Sequence, residues 1–339
     1  MRQGVTIVEI AKRAGITPTA ASRALRDAKD IGAETKQRVR QIAEALDYRP
    51  NEVARSLRKR RTRTLGLSVF QIENPFFGRL ACATHQRIES LGCATLLAPL
   101  EAPLSEVVDF LHMRCVDGMI VTSTFLRAED VALWQRLRAS VPFVVLGNVN
   151  GLAVDSVTTN REAGTREAVR HLVSLGHREV GYVPLPKAPL TDAPGTRLAG
   201  FRAALAEASL PFRDEWMVEG KNSLSGARQA ALDLLSRPRR PTAVFCHNDL
   251  CAWALLRVAY ELGLSVPEDL SVMGFDNAEF SGHCRPALTT VEQPVEQLAE
   301  TAVSLLMDRM AHPDAPPRQV VLEPRLIVRE STGRAPNQS

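Results

Sequence analysis

The sequence predicts an α/β protein that carries a small all-helical head, and three observations lead there. Three short helical patterns fill the first 50 residues, with a glycine and a threonine–proline step between the first two. From Thr64 onward, apolar runs of strand length alternate with helical stretches, the pattern of parallel sheets covered on both faces. At 339 residues the chain exceeds one ordinary core. The strand–helix units are also too many for one sheet, so two doubly wound parallel-sheet subdomains are expected behind the head.

Taken in order, the first helix is expected over Ile7–Ala14, with Ile7, Ile10 and Ala11 on one face. Gly15 ends it, as glycine does where left-handed backbone is needed. Thr17 is a good N-cap for the second helix, and Pro18 stands in a first turn where its missing N–H is harmless. Ala21 and Leu25 of that helix face inward. A third helix runs from about Ala33 to Leu46, with Val39, Ile42, Ala43 and Leu46 at helical spacing. Isolated helices below about 12–15 residues are marginal in water, so these three must share one core. The segment "YRPNEVARSLRKRRTRT" (48–64) then reads as a linker in which Pro50 stops the preceding helix and Asn51 caps a short one through Leu57. Arg58, Lys59, Arg60, Arg61 and Arg63 close it.

In the body, strand-like runs lie at 65–70, 93–98, 118–122, 142–147, 179–183, 242–246 and 270–275. Helices are expected at 78–91, 104–114, 129–139, 162–175, 197–208, 225–236, 249–262 and 295–311. The segment "QVVLEPRLIVRE" (319–330) completes the body, and no repeat of fixed period is evident.

Charge is unevenly shared. Residues 1–64 hold 16 Lys and Arg against 7 Asp and Glu, while the remainder holds 26 against 31. A basic head on a mildly acidic body points to a polyanion partner for the head. No apolar run approaches the roughly 18 residues that would span a membrane. Glu9, Lys12 and Arg13 interrupt what would be a signal peptide's apolar core, so a cytoplasmic location is expected. Cys82, Cys93, Cys115, Cys246, Cys251 and Cys284 form no CxxC pair. They are expected to be buried or half-buried free thiols, and neither a metal nor a cofactor is implied.

Helix, glycine turn and helix make a helix-turn-helix unit. Its second helix presents Thr19, Ala20, Ser22 and Arg23 outward. Arginine there can bind guanine bidentately in the major groove, threonine can touch a methyl group, and hydroxyls can reach phosphates.

"TIVEIAKRAGITPTAASRAL" followed by "YRPNEVARSL" resembles the DNA-binding head and hinge of the lactose/galactose repressor family. The likeness continues in order through "NPFF" (74–77), "VDGMIV" (116–121), "GHREVGYV" (176–183), "RLAGF" (197–201), "PTAVFCHND" (241–249), "VPEDLSVMGFDN" (266–277) and "PALTTVEQP" (286–294). It implies a ligand-responsive, DNA-binding transcriptional regulator, most simply a repressor of sugar or sugar-acid utilisation, acting as a homodimer on a near-palindromic operator. By position, Thr6, Thr17, Pro18, Thr19, Ser22, Arg23 and Arg26 of the head would touch DNA. Asn51, Ala54, Arg55, Leu57 and Arg58 of a hinge helix would join them, with Leu57 as a minor-groove wedge. Pro18 and Thr19 stand where members vary their base-reading residues, so no operator sequence carries over. The implied domains are 1–49 for the head, 50–63 for hinge and linker, and 64–339 for the effector-binding and dimerisation body. Within the body one subdomain takes about 64–162 and 293–323, and the other about 163–292 and 324–332.

In open parallel sheets ligands sit beyond the carboxyl ends of the strands, and the family's body resembles two-lobed periplasmic sugar-binding proteins. The effector set expected on that basis is Phe76, Phe77, Ser123, Arg197, Asn248 and Asp276. An aspartate accepting from vicinal hydroxyls and an arginine donating in a fork suit a sugar or sugar acid. Asn160 falls where many relatives carry aspartate. Two other classes compete with this reading. An enzyme is disfavoured because GxSxG, GxxxxGK[ST], HExxH and GxGxxG are all missing. A sugar-binding module without a DNA role leaves the basic head unexplained.

Overall fold

The computed structural model describes residues 5–48, 62–99, 104–122, 141–149, 152–184, 195–220 and 223–336. It divides into a head, Met1–Thr62, and a body, Arg63–Ser339.

The head holds three helices, α1 (Ile7–Ala14), α2 (Pro18–Leu25) and α3 (Ala33–Ala45). Thr6 caps α1, its Oγ1 accepting from Glu9 N at 3.4 Å, and Gly15 ends it at φ +67°. Thr17 caps α2 in the same way, accepting from Ala20 N at 3.2 Å. Ile10, Ala11, Ala14, Ala21, Ala24, Val39 and Ala43 form the core. Alanine at most of these positions lets three short helices approach closely. Leu25, Ile42 and Leu46 flank that core half-buried.

The body is built on two sheets. Their strands are β1 (Thr64–Val69), β2 (Ala94–Pro99), β3 (Gly118–Thr122), β4 (Phe143–Leu146), β5 (Ser156–Thr159), β6 (Val180–Val183), β7 (Ala243–Cys246), β8 (Ser271–Asp276), β9 (Thr289–Glu292), β10 (Gln319–Leu322) and β11 (Arg325–Ile327). The helices are α4 (Pro75–Ser90), α5 (Leu104–Met113), α6 (Arg161–Ser174), α7 (Arg197–Glu207), α8 (Leu224–Leu235), α9 (Asp249–Glu261) and α10 (Val295–Ala311). The first sheet has six parallel strands in the order β10-β5-β4-β3-β1-β2. The second has the order β11-β9-β8-β7-β6 and is parallel except for β11.

Both sheets are covered on each face, which is why their strands read as continuous apolar runs. In the first sheet, α4 and α10 pack on one side through Leu80, Ile88, Leu298 and Leu306, and Leu111 of α5 packs on the other. In the second sheet, α8 and α9 cover one face and α6 and α7 the other. The chain passes between lobes between β5 and α6, between β9 and α10, and between β10 and β11. Residues at these passages therefore stand beside both lobes.

Several expectations need correction. β5 (SVTT) and β9 (TTVE) are strands that apolar periodicity misses, because hydroxyls stand where it looks for aliphatic groups. The buried threonines of β9 are satisfied internally; Thr290 Oγ1 donates to Asp249 Oδ1 at 2.5 Å. The single segment expected at 319–330 is two strands in different sheets. Pro324, which has no N–H for a ladder, separates them. Helix α4 begins at Pro75 because Asn74 caps it, accepting from Phe76 N at 3.0 Å. Cys82 and Cys115 are exposed, not buried. The inward face of α4 is taken by Leu80, Ala81, Thr84 and Ile88, which leaves Cys82 to solvent. The helix expected at 129–139 lies outside the described residues.

Candidate functional site

Two sites follow from this fold, one on the head and one in the body. On the head, Thr17, Pro18, Thr19, Arg23 and Arg26 are exposed along α2 and its cap, and Ser22 is half-buried. The capping hydroxyls of Thr6 and Thr17 spend a lone pair on the helix and keep their O–H free to donate to a phosphate. Arg26 Nε donates to Ser22 O at 3.0 Å, which holds its side chain against the helix. Arg23 pairs with Asp30. Both partners are about half exposed, so the pair is weak and DNA can displace it readily. Asn51, Ala54, Arg55, Leu57 and Arg58 lie outside the described residues.

In the body a cavity opens beyond the carboxyl ends of the strands, where open parallel sheets hold their ligands. Five of the expected effector residues line it: Phe76, Phe77, Arg197, Asn248 and Asp276. Ser123 lies outside the described residues. One wall is apolar, made by Phe70, Phe76, Phe77, Leu80, Leu146, Val157 and Leu298. Phe77 meets Phe70 edge-on at 5.4 Å between ring centroids and Phe76 at 5.0 Å. The opposite side is polar, with Arg161, Arg197, His247, Asn248, Asp276 and Gln293.

Each polar group there is placed by a helix start or a strand end. Thr196 caps α7 by accepting from Ala199 N at 3.1 Å, and Arg197 is the first residue of that helix. Its guanidinium lies 3.9 Å from the centre of the Phe275 ring, and its Nη2 donates to Asp276 Oδ1 at 3.5 Å. Asp276 ends β8 at φ +119°, a backbone region that side chains rarely adopt; such strain gathers at ligand sites. Gln293 Nε2 donates to the same carboxylate oxygen at 2.7 Å. Behind this layer, buried Asp249 accepts from Ala278 N and Ser281 Oγ, both at 2.7 Å, and so fixes the turn after Asp276. Asn248 caps α9, its Oδ1 accepting from Cys251 N at 2.9 Å. Its amide Nδ2 and the second lone pair of Oδ1 are left to offer a ligand.

Burial pushes the Asp276 carboxyl up to about 7, against the opposing pull of Arg197. Burial and the two nearby guanidiniums push the His247 imidazole well below its ordinary range, so it is neutral. Its Nε2 accepts from Arg197 Nη1 at 3.1 Å, which leaves Nδ1 as the N–H facing Tyr182 Oη at 3.1 Å. Among the described residues no cluster of His, Cys, Asp and Glu could hold a metal ion.

Arg161 and Gln293 are cavity residues that sequence reading does not single out. Arg161 follows a strand without an aliphatic run and opens a charged helical stretch, so it reads as solvated surface. The one available signal is its place directly after the end of a buried strand.

Comparison with known proteins matches residues 6–51 to the model "Bacterial regulatory proteins, lacI family". Residues 169–332 match "Periplasmic binding protein-like domain". The HTH-type transcriptional repressor PurR of Yersinia pestis bv. Antiqua is 34% identical over 336 residues, covering 98% of each chain. The lac repressor dimer bound to operator and the anti-inducer ONPF superposes with a TM-score of 0.88 at 26% identity, covering 98% of this chain and 100% of that one. The complex of the transcriptional regulator CelR with cellobiose gives 0.72 at 29% identity, covering 96% and 99%.

Proposed function

The chain belongs to the lacI family of bacterial regulatory proteins, and from that premise we propose that it represses transcription as a homodimer under the control of a sugar or sugar acid. As a family member it is a DNA-binding, ligand-responsive repressor and not an enzyme. Nucleic acid is the partner of the head, whose α2 enters the major groove with Thr19, Ser22 and Arg23 toward base edges. No helix among the described residues is long and apolar enough to cross a membrane.

One observation carries the effector reading: a buried arginine–aspartate pair faces an aromatic wall at the place where the chain passes between lobes. Asp276 accepts from hydroxyls, Arg197 donates to ring or acid oxygens, and the phenylalanines cover the ligand's apolar face. The cellobiose held by CelR supports a saccharide-class ligand. Because the cavity touches both lobes, a ligand that prefers one lobe arrangement biases the dimer and, through the hinge, its operator affinity. The effect is limited to that ligand's differential affinity for the two states.

The test begins by selecting the operator from random DNA with the full-length protein. Its affinity is then measured with and without sugars, sugar acids and nucleobases. A true effector must raise the melting temperature and change operator affinity together. Specific binding should weaken steeply with salt, and Arg23→Ala should cost about 1–3 kcal/mol and relax preference at one base pair of each half-site. Equal loss on operator and random DNA would reduce Arg23 to a phosphate contact. Failure to recover any preferred sequence would sink the repressor reading for this head.

A further inference from the structure

The charges lining the cavity do not balance. Arg197 is matched by Asp276, and neutral His247 contributes nothing. Arg161, the first residue of α6, reaches Thr158 Oγ1 through Nη2 at 3.4 Å and has no carboxylate partner among the described residues. The groups beside it in sequence are engaged elsewhere. Asn160 Nδ2 donates to Glu323 Oε1 at 3.0 Å, while Glu162 accepts from Arg166 at 2.9 Å and from Gly195 N at 2.8 Å. Among the described residues two guanidiniums therefore share the lining with a single carboxylate. Arg197 Nε is also buried without a partner.

A cation taken from water without a counter-charge is unfavourable, and a like charge nearby worsens it. Burial first, then Arg197, pulls the Arg161 guanidinium down to about 10, against the opposing pull of Asp276, which both arginines share. It still carries its charge at neutral pH. Among the described residues the one carboxylate lining the cavity is Asp276, already matched to Arg197, so the natural source of a second negative charge is a ligand.

We infer that Arg161 selects an anionic effector: the ligand bears a carboxylate or a phosphate that pairs with Arg161, beside hydroxyls taken by Asp276. This rests on the cavity being the effector site. A guanidinium fork fits both anions, so the shared chemistry is a compact, multi-oxygen anion on a hydroxylated body. The position of Arg161 suits the task. It stands at a passage between lobes, so an anion held there joins the end of β5 to the second lobe.

Full-length Arg161→Gln, Arg161→Lys and Asp276→Asn test this. Without ligand and at low salt, Arg161→Gln should melt higher than the wild type, because an unpaired cation and its repulsion from Arg197 are gone. A lower melting temperature would mean that Arg161 is structural and would overturn the assignment. Calorimetric titration then compares glucose, glucuronate and glucose 6-phosphate, and the corresponding galactose set, which share a ring and differ in charge. One anion should bind at least tenfold tighter than its neutral parent, and whether the carboxylate or the phosphate does so identifies the group. Arg161→Gln should erase that preference and Arg161→Lys should restore part of it. A neutral sugar that outbinds both anions, loses binding in Asp276→Asn and ignores Arg161→Gln would overturn the anion while keeping the cavity as the effector site. An anion bound equally well by Asp276→Asn and Arg161→Gln lies elsewhere and overturns both readings.

Discussion

Asp276 ends its strand in a strained backbone conformation, and burial holds its carboxyl near 7. In an unfolded chain the same group titrates near about 4. The sign follows from linkage. The contribution to stability is full below about pH 4 and is lost as the pH rises toward about 7, where the folded carboxyl ionises. Asp276→Asn removes that dependence while keeping an oxygen for Gln293. Buried Asp249, raised by burial to about 6, is present in both proteins, and its charge is one of the causes that raise Asp276. Between pH 5 and pH 8 the unliganded variant should therefore gain roughly 1–3 kcal/mol on the wild type. The measurement is thermal unfolding of both proteins at the two pH values, and parallel behaviour would show that Arg197 keeps Asp276 ionised throughout. Asp276 and Arg197 are legible in the sequence, one at the end of the apolar run "LSVMGF" and the other at a helix start. Arg161 is not, because an arginine after hydroxyl-rich residues has the same local pattern as a surface charge. Only the fold reveals that it faces a second arginine.

Local chemistry sets the helices to within a few residues of what their caps dictate. Thr17, Thr196 and Asn248 each stand one residue before a helix and each accept a backbone N–H three residues on. The hydroxyl-rich strands β5 and β9 escape sequence reading for a different reason. The buried threonines of β9 are satisfied by partners distant in sequence, such as Thr290 with Asp249, and no local pattern encodes those partners. The contact between α6 and α7 is also long-range. A Cβ at Gly200 of α7 would clash with the backbone carbonyl of Glu162 in α6, and backbone cannot move aside as a side chain can. Alanine raises helix propensity by about 1 kcal/mol over glycine, but overpacking costs about 1–3 kcal/mol and occasionally more. Gly200→Ala is expected to lower the melting temperature despite the better propensity. Because Glu162 adjoins Arg161, it should also weaken effector binding. A stabilised variant with unchanged effector affinity would show that the two helices separate without penalty.

The division of charge at the scale of the molecule matches a division of labour, with a cationic head and linker joined to a body that carries net negative charge. Polyanion binding and small-molecule binding are thus proposed for separate parts of one chain, the head Met1–Thr62 and the body Arg63–Ser339. Leu57 makes the separation testable. By family resemblance it would be the apolar wedge of the hinge, followed by five cations within six residues. Inserting a side chain between base steps unstacks them at a few kcal/mol, offset by the surface that bent DNA exposes. Leu57→Ala removes most of the buried apolar area that drives insertion. Burial of a leucine side chain is worth about 1.5–3 kcal/mol, so operator affinity should fall on the order of tenfold, and the bend should decrease with it. Effector affinity in the absence of DNA should stay within about twofold, since the wedge meets only the minor groove. Fluorescence anisotropy gives the operator affinity, a circular-permutation gel the bend, and calorimetry the effector affinity. An unchanged bend with weakened affinity would make Leu57 a simple contact. A parallel loss of effector binding would place Leu57 within the body's own packing and remove the hinge from the path between the two sites.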